Sequence, residues 1–198
     1  MSYDISLVNG ITGTPCTMAK KLIRGGTVPA EYDKSTGRLV QVSQTDCNVN
    51  ITYNYSQYFY NATQDDPDFA HEEPYEEEIV YGIRGLYGKT AKESIPMLKS
   101  MIARIDWANK DEEGNWITRI RTKQQYFYKD GTECKDPIRT ILHGETGIIT
   151  KEEQYTVSEG DTTDYWEATA ANVIIQLKDM LAMAIENENN PDAIWTGD

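Results

Sequence analysis

Histidine and cysteine are scarce in this chain of 198 residues, which holds two histidines, His71 and His143, and three cysteines, Cys16, Cys47 and Cys134. A structural zinc takes about four clustered Cys or His ligands. Here the candidates are scattered and no CxxC pair occurs, so the sequence assigns neither a metal nor a cofactor. The odd, unpatterned cysteine set predicts no disulfide framework and fits a reducing cytoplasm. Long apolar runs are missing as well: nothing approaches the roughly 20 residues of a spanning helix. The opening Met-Ser-Tyr-Asp-Ile-Ser-Leu has neither the basic nor the apolar segment of an export signal. Basic residues are in the minority, with 19 Lys and Arg against 32 Asp and Glu and a net charge of −13. That balance argues against binding of a nucleic-acid backbone, which needs a basic footprint, and against a polybasic membrane patch. GxGxxG, P-loop, HExxH and GxSxG signatures are absent.

What is present suffices for a folded chain. Hydrophobic residues make up 39%, and the length suits one domain over 1–198. Asp4 to Val8 alternates as a strand does, as does Cys47 to Tyr53, with Val49 and Ile51 on one face and Asn48, Asn50 and Thr52 on the other. Lys21 to Arg24 and Arg38 to Ser43 read as strand pieces between turns at Gly25-Gly26 and Ser35 to Gly37. Asn54 is a candidate cap for a helix on which Tyr55, Tyr58 and Phe59 share a face. Gln64 to Pro74 reads as a solvated loop. A helical pattern restarts at Glu76, with Ile79, Val80 and Ile83 as its apolar positions, and Glu76 to Glu78 read as its solvated start.

Thr90 and Glu93 have capping-box spacing ahead of an amphipathic run from Ile95 to Ile105. Pro96 leaves two readings: a kinked helix, or a separate first turn with Ser94 as the cap. Residues 115–160 read as a β subregion inserted in the second half, with hairpin turns at Asp130-Gly131 and around Gly144 to Gly147. Thr169 caps a helix running to about Glu186, and Ile194-Trp195 returns the C-terminal segment to the body. The expected fold is α+β, a small antiparallel sheet packed with three to four helices.

The charge is unevenly spread. Residues 61–80 contribute −8 and residues 151–198 contribute −9, whereas residues 81–106 carry +3. The acidity therefore leaves room for a small anionic ligand at the locally neutral or basic segments. Those segments are rich in tyrosine and amides. Tyr53 and Tyr55 lie beside Asn50, Thr52 and Asn54; Tyr87 follows Arg84 and precedes Lys89; Trp166 precedes Asn172 at the start of the last helix. Rings stack, amides read polar edges and guanidinium groups pair with phosphate. The candidate ligand residues are therefore Tyr53, Tyr55 and Trp166 for stacking, Asn50, Asn54 and Asn172 for polar edges, and Arg84 and Lys89 for phosphate, with Thr52 and Tyr87 beside them. For each tyrosine taken alone, the bland alternative is a place at the edge of the core. No catalytic residue is assigned.

The segments YDISL (Tyr3 to Leu7), NITYNYS (Asn50 to Ser56), GIRGLYGKTAKESIPML (Gly82 to Leu98), YWEATAAN (Tyr165 to Asn172) and the ending PDAIWxGD resemble an uncharacterised family of phage and prophage proteins. The resemblance implies an accessory protein acting in the cytoplasm of an infected bacterium. The leading expectation is a counter-defence module that sequesters a nucleotide-derived signal, such as a cyclic nucleotide or an ADP-ribose derivative, without catalysis, either alone or as a homo-oligomer. The alternatives are an acidic protein-interaction or DNA-mimic inhibitor, a phosphodiesterase-type enzyme and a virion component.

Overall fold

The computed structural model describes residues 2–22, 30–33, 38–41, 44–72, 79–135, 148–164 and 166–197. In chain order the strands are β1 Ser2–Asn9, β2 Thr17–Leu22, β3 Ala30–Asp33, β4 Arg38–Gln41, β5 Gln44–Asp46, β6 Asn48–Thr52, β7 Ala70–His71, β8 Val80–Tyr81, β9 Thr118–Phe127, β10 Ile149–Ser158 and β11 Ala193–Gly197. The helices are α1 Ser56–Thr63, α2 Ala91–Ala108 and α3 Ala170–Glu186. This is the α+β architecture that the sequence pattern predicts. No helix among the described residues is long and apolar enough to cross a membrane.

The alternation in β1 sends Tyr3, Ile5 and Leu7 to one face, and all three are buried. β1 is the centre of a three-stranded antiparallel sheet, with β6 on one side and β11 on the other. The register sets Ile5 opposite Val49 and Leu7 opposite Trp195, so both flanking strands turn buried side chains to the same side. On the other face Asp4 and Asn50 meet solvent. Core side chains from α2 (Leu98, Met101, Ile105) and α3 (Val173, Leu177, Met180) join the inner face in one cluster. Trp195 is buried in this cluster, and its indole N–H donates to Ser94 Oγ at 2.8 Å, which satisfies the ring's only polar atom. The remaining strands form antiparallel pairs, β2–β5, β3–β4, β7–β8 and β9–β10.

The capping box at Thr90 forms in full: Thr90 Oγ1 accepts from the Glu93 N–H, and the Glu93 carboxylate accepts from the Thr90 N–H at 2.9 Å. α2 is continuous with Pro96 inside it, which resolves the two readings in favour of a helix beginning after Thr90. α3 starts at its Thr169 cap and ends at Glu186, as its pattern predicts. The turn at Asp130-Gly131 also forms, with Tyr128 N–H donating to Thr132 O and Gly131 at φ 88°.

Four local readings are corrected. Thr52, which the alternation puts on the solvent side, is buried and caps a 3₁₀ turn over Tyr53–Tyr55. Asn54 lies inside that turn and is not the cap of α1, which begins at Ser56. The apolar positions Val80 and Ile83 belong to strand β8 and to a 3₁₀ turn over Ile83–Leu86, separated by Gly82 at φ 150°. That backbone angle is open to glycine and breaks the helical path. Finally, the stretch read as a solvated loop contains a 3₁₀ turn over Pro67–Phe69 whose Phe69 ring is buried, and β7 follows it directly. Gly85 permits this, because a Cβ there would lie 2.5 Å from Phe69 Cα. Strands β2 and β4 cover Lys21-Leu22 and Arg38–Gln41 of the predicted pieces. The turns at Gly25-Gly26 and Ser35 to Gly37, Glu76 to Glu78, His143 and the hairpin at Gly144 to Gly147 lie outside the described residues.

Candidate ligand-binding site

The ten residues expected to bind a ligand separate into distinct places. Asn50 points to the solvent face of the sheet, where its amide donates to Ser2 Oγ at 2.9 Å and to the Asp4 carboxylate. Period-two alternation puts it opposite the buried Val49 and Ile51, away from the helices. Tyr53 and Arg84 do come together. The Arg84 guanidinium donates to Tyr53 Oη at 2.8 Å and lies 5.3 Å from the centre of the Tyr3 ring, which stacks on Tyr53 at 4.3 Å. One face of Tyr53 is thus taken by Tyr3. Tyr55 is fully buried in the core, and Thr52 is spent on the cap. Asn172 is buried and gives its amide hydrogens to the Asp164 and Glu167 carbonyls at 2.8 and 2.9 Å, pinning the turn ahead of α3. Tyr87 lies against Gly197. Lys89, whose carbonyl accepts from the Trp195 N–H, borders a second hollow of about 520 Å³ together with Asp66, Asp68 and Glu93. Trp166 is exposed, and its carbonyl accepts from the Asn54 side chain at 3.3 Å.

Asn54 alone of the ten lines a cleft of about 420 Å³ between α1, α2 and the start of β9. The size falls in the range of small-molecule sites. One wall is α1, where Gln57, Tyr58 and Asn61 face inward at helical spacing and Gln57 Nε2 donates to Asn61 Oδ1 at 2.7 Å. α2 supplies Arg104 and Ala108, and Asn109 caps its C-terminal end. Arg119 and Arg121, two apart on β9, point to the same side of the strand and complete the lining near Ala168. Three arginines therefore line the cleft, and no aspartate or glutamate does, among the described residues.

The carboxylates lie behind the arginines. Glu159 is fully buried and accepts from Arg119 Nε at 2.8 Å, Arg121 Nη2 at 3.2 Å, Tyr58 Oη at 2.6 Å and the Ala170 N–H at 2.8 Å. Arg121 is also held by Glu167 at 3.2 Å and by the Ala168 carbonyl. Arg119 Nη2 donates to Asn109 Oδ1 at 2.9 Å, and Arg104 reaches Asp66 at 3.2 Å and the Ala62 carbonyl at 3.1 Å. Burial, and then the bond to Glu159, push the Tyr58 hydroxyl above its ordinary range, so it stays protonated and donates. This fixes the guanidinium groups in place, and Nη1 of Arg119, a side chain 49% exposed, has no partner among the described residues. Oriented, partly exposed guanidinium groups are the arrangement that pairs with phosphate or carboxylate oxygens.

Arg104, Arg119 and Arg121 were not among the residues that the sequence singled out. The available signal was the Arg-x-Arg spacing at 119 and 121 on a strand. No group of histidine, cysteine or acidic side chains with metal-holding geometry occurs among the described residues. Comparison with family models, curated proteins and solved structures finds no match to this chain.

Proposed function

We propose that this is a phage accessory protein that captures a small nucleotide-like anion in the cleft between α1, α2 and β9 and holds it without turning it over. The observation that carries the reading is a lining of three arginines and several amides with the acidic groups placed behind it. Arg119 and Arg104 meet phosphate oxygens, and Asn54, Gln57 and Asn61 offer donors and acceptors to the polar edge of a base. The reading relocates the site that the tyrosine-rich segments suggested: Tyr55 is core and Tyr53 is engaged by Tyr3 and Arg84. Resemblance to phage proteins supplies the setting, in which sequestering a host signal needs affinity and no chemistry.

The test is calorimetry with 5′-AMP, ADP-ribose and cyclic dinucleotides on the full chain and on Arg119→Ala. The wild type is expected to bind at least one of them. The variant is expected to keep its melting temperature within a few degrees and lose about tenfold or more in affinity, as for a lost charge-assisted contact. Absence of binding to every probe overturns the reading. Chromatography after prolonged incubation, with and without magnesium, should return the ligand intact; conversion would make the protein an enzyme.

A further inference from the structure

Two of the three cysteines face each other. Thr17 and Asp46 are register partners in the β2–β5 pair, so the next position along sets Cys16 opposite Cys47. The Cys47 N–H donates to the Cys16 carbonyl at 2.8 Å. Both residues also bond to Leu7 of β1, Cys16 through its N–H and Cys47 through its carbonyl, each at 2.8 Å. Opposed residues of an antiparallel pair turn their side chains to the same face. Accordingly Thr17 and Asp46 are both exposed, whereas Cys16 and Cys47 are both buried in one core cluster, as free thiols. Opposed Cα atoms lie about 4.5–5.5 Å apart, inside the span of about 4.4–6.8 Å that a disulfide bridges. The backbone bonds hold the two residues in this relation, so closure is chiefly a matter of side-chain rotation. Asn187, at the C-terminal end of α3, directs its amide at Cys47 Sγ from 3.6 Å, which puts the pair under that helix end. Cys134 is held elsewhere, with its N–H donating to the Tyr126 carbonyl of β9.

We propose that Cys16 and Cys47 form a reversible disulfide, a redox lock that ties the entry of β2 to the entry of β6, with a peroxide as the oxidant. Cys16 is 8% exposed and Cys47 fully buried, so the oxidant meets Cys16 first. The Cys16 thiolate attacks one peroxide oxygen and the O–O bond breaks, giving a sulfenic acid and a hydroxide that takes up the proton Cys16 released. The Cys47 sulfur then attacks the Cys16 sulfur, the S–O bond breaks, and the hydroxyl leaves with the Cys47 proton as water. Two thiols and one hydrogen peroxide thus become one disulfide and two waters; the sulfurs lose two electrons and the peroxide gains them. Burial raises both thiols, so little thiolate is present near neutral pH and closure is slow. A reducing thiol reopens the bond by exchange. Transient disulfides of this kind are the sort found in reducing compartments. Neither cysteine lines the arginine cleft, so the lock stands apart from the ligand reading.

The test treats the folded full chain with hydrogen peroxide, alkylates it after unfolding and maps the peptides by mass spectrometry. Alkylatable thiols should fall from three to one, the survivor being Cys134, with the Cys16 and Cys47 peptides joined within one chain. Dithiothreitol should restore all three. The oxidised chain should melt about 5 °C or more above the reduced one, because the bond closes a long loop in the unfolded state. Cys16→Ser and Cys47→Ser should each give no reversible bond within the chain; the wild-type peptide map decides the matter even if a variant folds poorly. The proposal is overturned if all three thiols survive, if the bond involves Cys134 or joins two chains, or if it closes only in urea. An oxidised form that does not melt above the reduced one overturns it as well.

Discussion

Replacement of Glu159 by alanine tests whether the cleft and the start of α3 are held by one buried carboxylate. Breaking a buried ion pair by removing one partner costs about 3–5 kcal/mol in general. The local contacts place this case near the lower end. Arg121 keeps Glu167 and the Ala168 carbonyl, and Tyr58 Oη, 2.8 Å from that carbonyl, turns its single proton to it once Glu159 is gone, so neither is stranded. Arg119 is 49% exposed and regains water. What is stranded is the N–H of Ala170, a fully buried residue, together with the space left by the side chain. An orphaned donor costs about 1–3 kcal/mol, and the cavity adds to it, so we expect a loss of about 3 kcal/mol. With a urea slope of about 2 kcal/mol per molar, the midpoint should fall by about 1.5 M. Glu159→Gln, which keeps an acceptor oxygen and the shape, should fall between alanine and the wild type. A loss below about 1 kcal/mol for the alanine variant would refute the view that Glu159 anchors the site. Retained ligand affinity in a folded Glu159→Ala chain would show that the arginines orient themselves.

Three further predictions concern the fold. Gly85→Ala forces a methyl onto the Phe69 backbone, and calorimetric melting should show a loss of about 1–3 kcal/mol. Thr90→Ala removes the capping box of α2 and should cost about 1 kcal/mol by chemical denaturation, with the loss largely recovered in Thr90→Ser. The Cys47 thiol is pushed up from 9.0 to about 12, first by burial and then by the charges of Cys16 and Glu186. The folded state therefore holds this proton more tightly than the unfolded state does. The stabilisation is complete below pH 9.0 and is lost as pH rises toward about 12, by about 1 kcal/mol per unit, so urea midpoints of the wild type should fall more steeply over that window than those of Cys47→Ala.

Elements whose local signals agree were legible in the sequence. β1 alternates cleanly, α2 carries a complete capping box, and α3 joins a Thr cap to a broad apolar stripe, so each local preference coincides with its place around the core. The turns over Pro67–Phe69 and Ile83–Leu86 were not legible, because they depend on a contact across 16 residues. Phe69 is buried only because Gly85 admits its backbone, and neither residue announces the other in sequence. The candidate site was legible only in part for a related reason. Tyr53, Tyr55 and Asn172 have the chemistry of binding residues but are used by stacking, core packing and turn pinning. The arginines of the cleft come from α2 and β9 and converge only in three dimensions.

The position of β1 has a consequence for how the chain acquires this fold. The first strand sits between β6 and β11, and Ile5 pairs with Gly197, so the central sheet closes on a contact spanning 192 positions. During synthesis the edge of β1 that faces β11 stays unpaired until Ala193–Gly197 has emerged, and Trp195 cannot fill its place in the core before then. Such long-range closure slows folding. It also sets Ile5 beside Gly197, so a chain in which a short linker joins β11 to β1 and which opens at the exposed Glu112-Glu113 turn would convert this long-range pairing into a local hairpin.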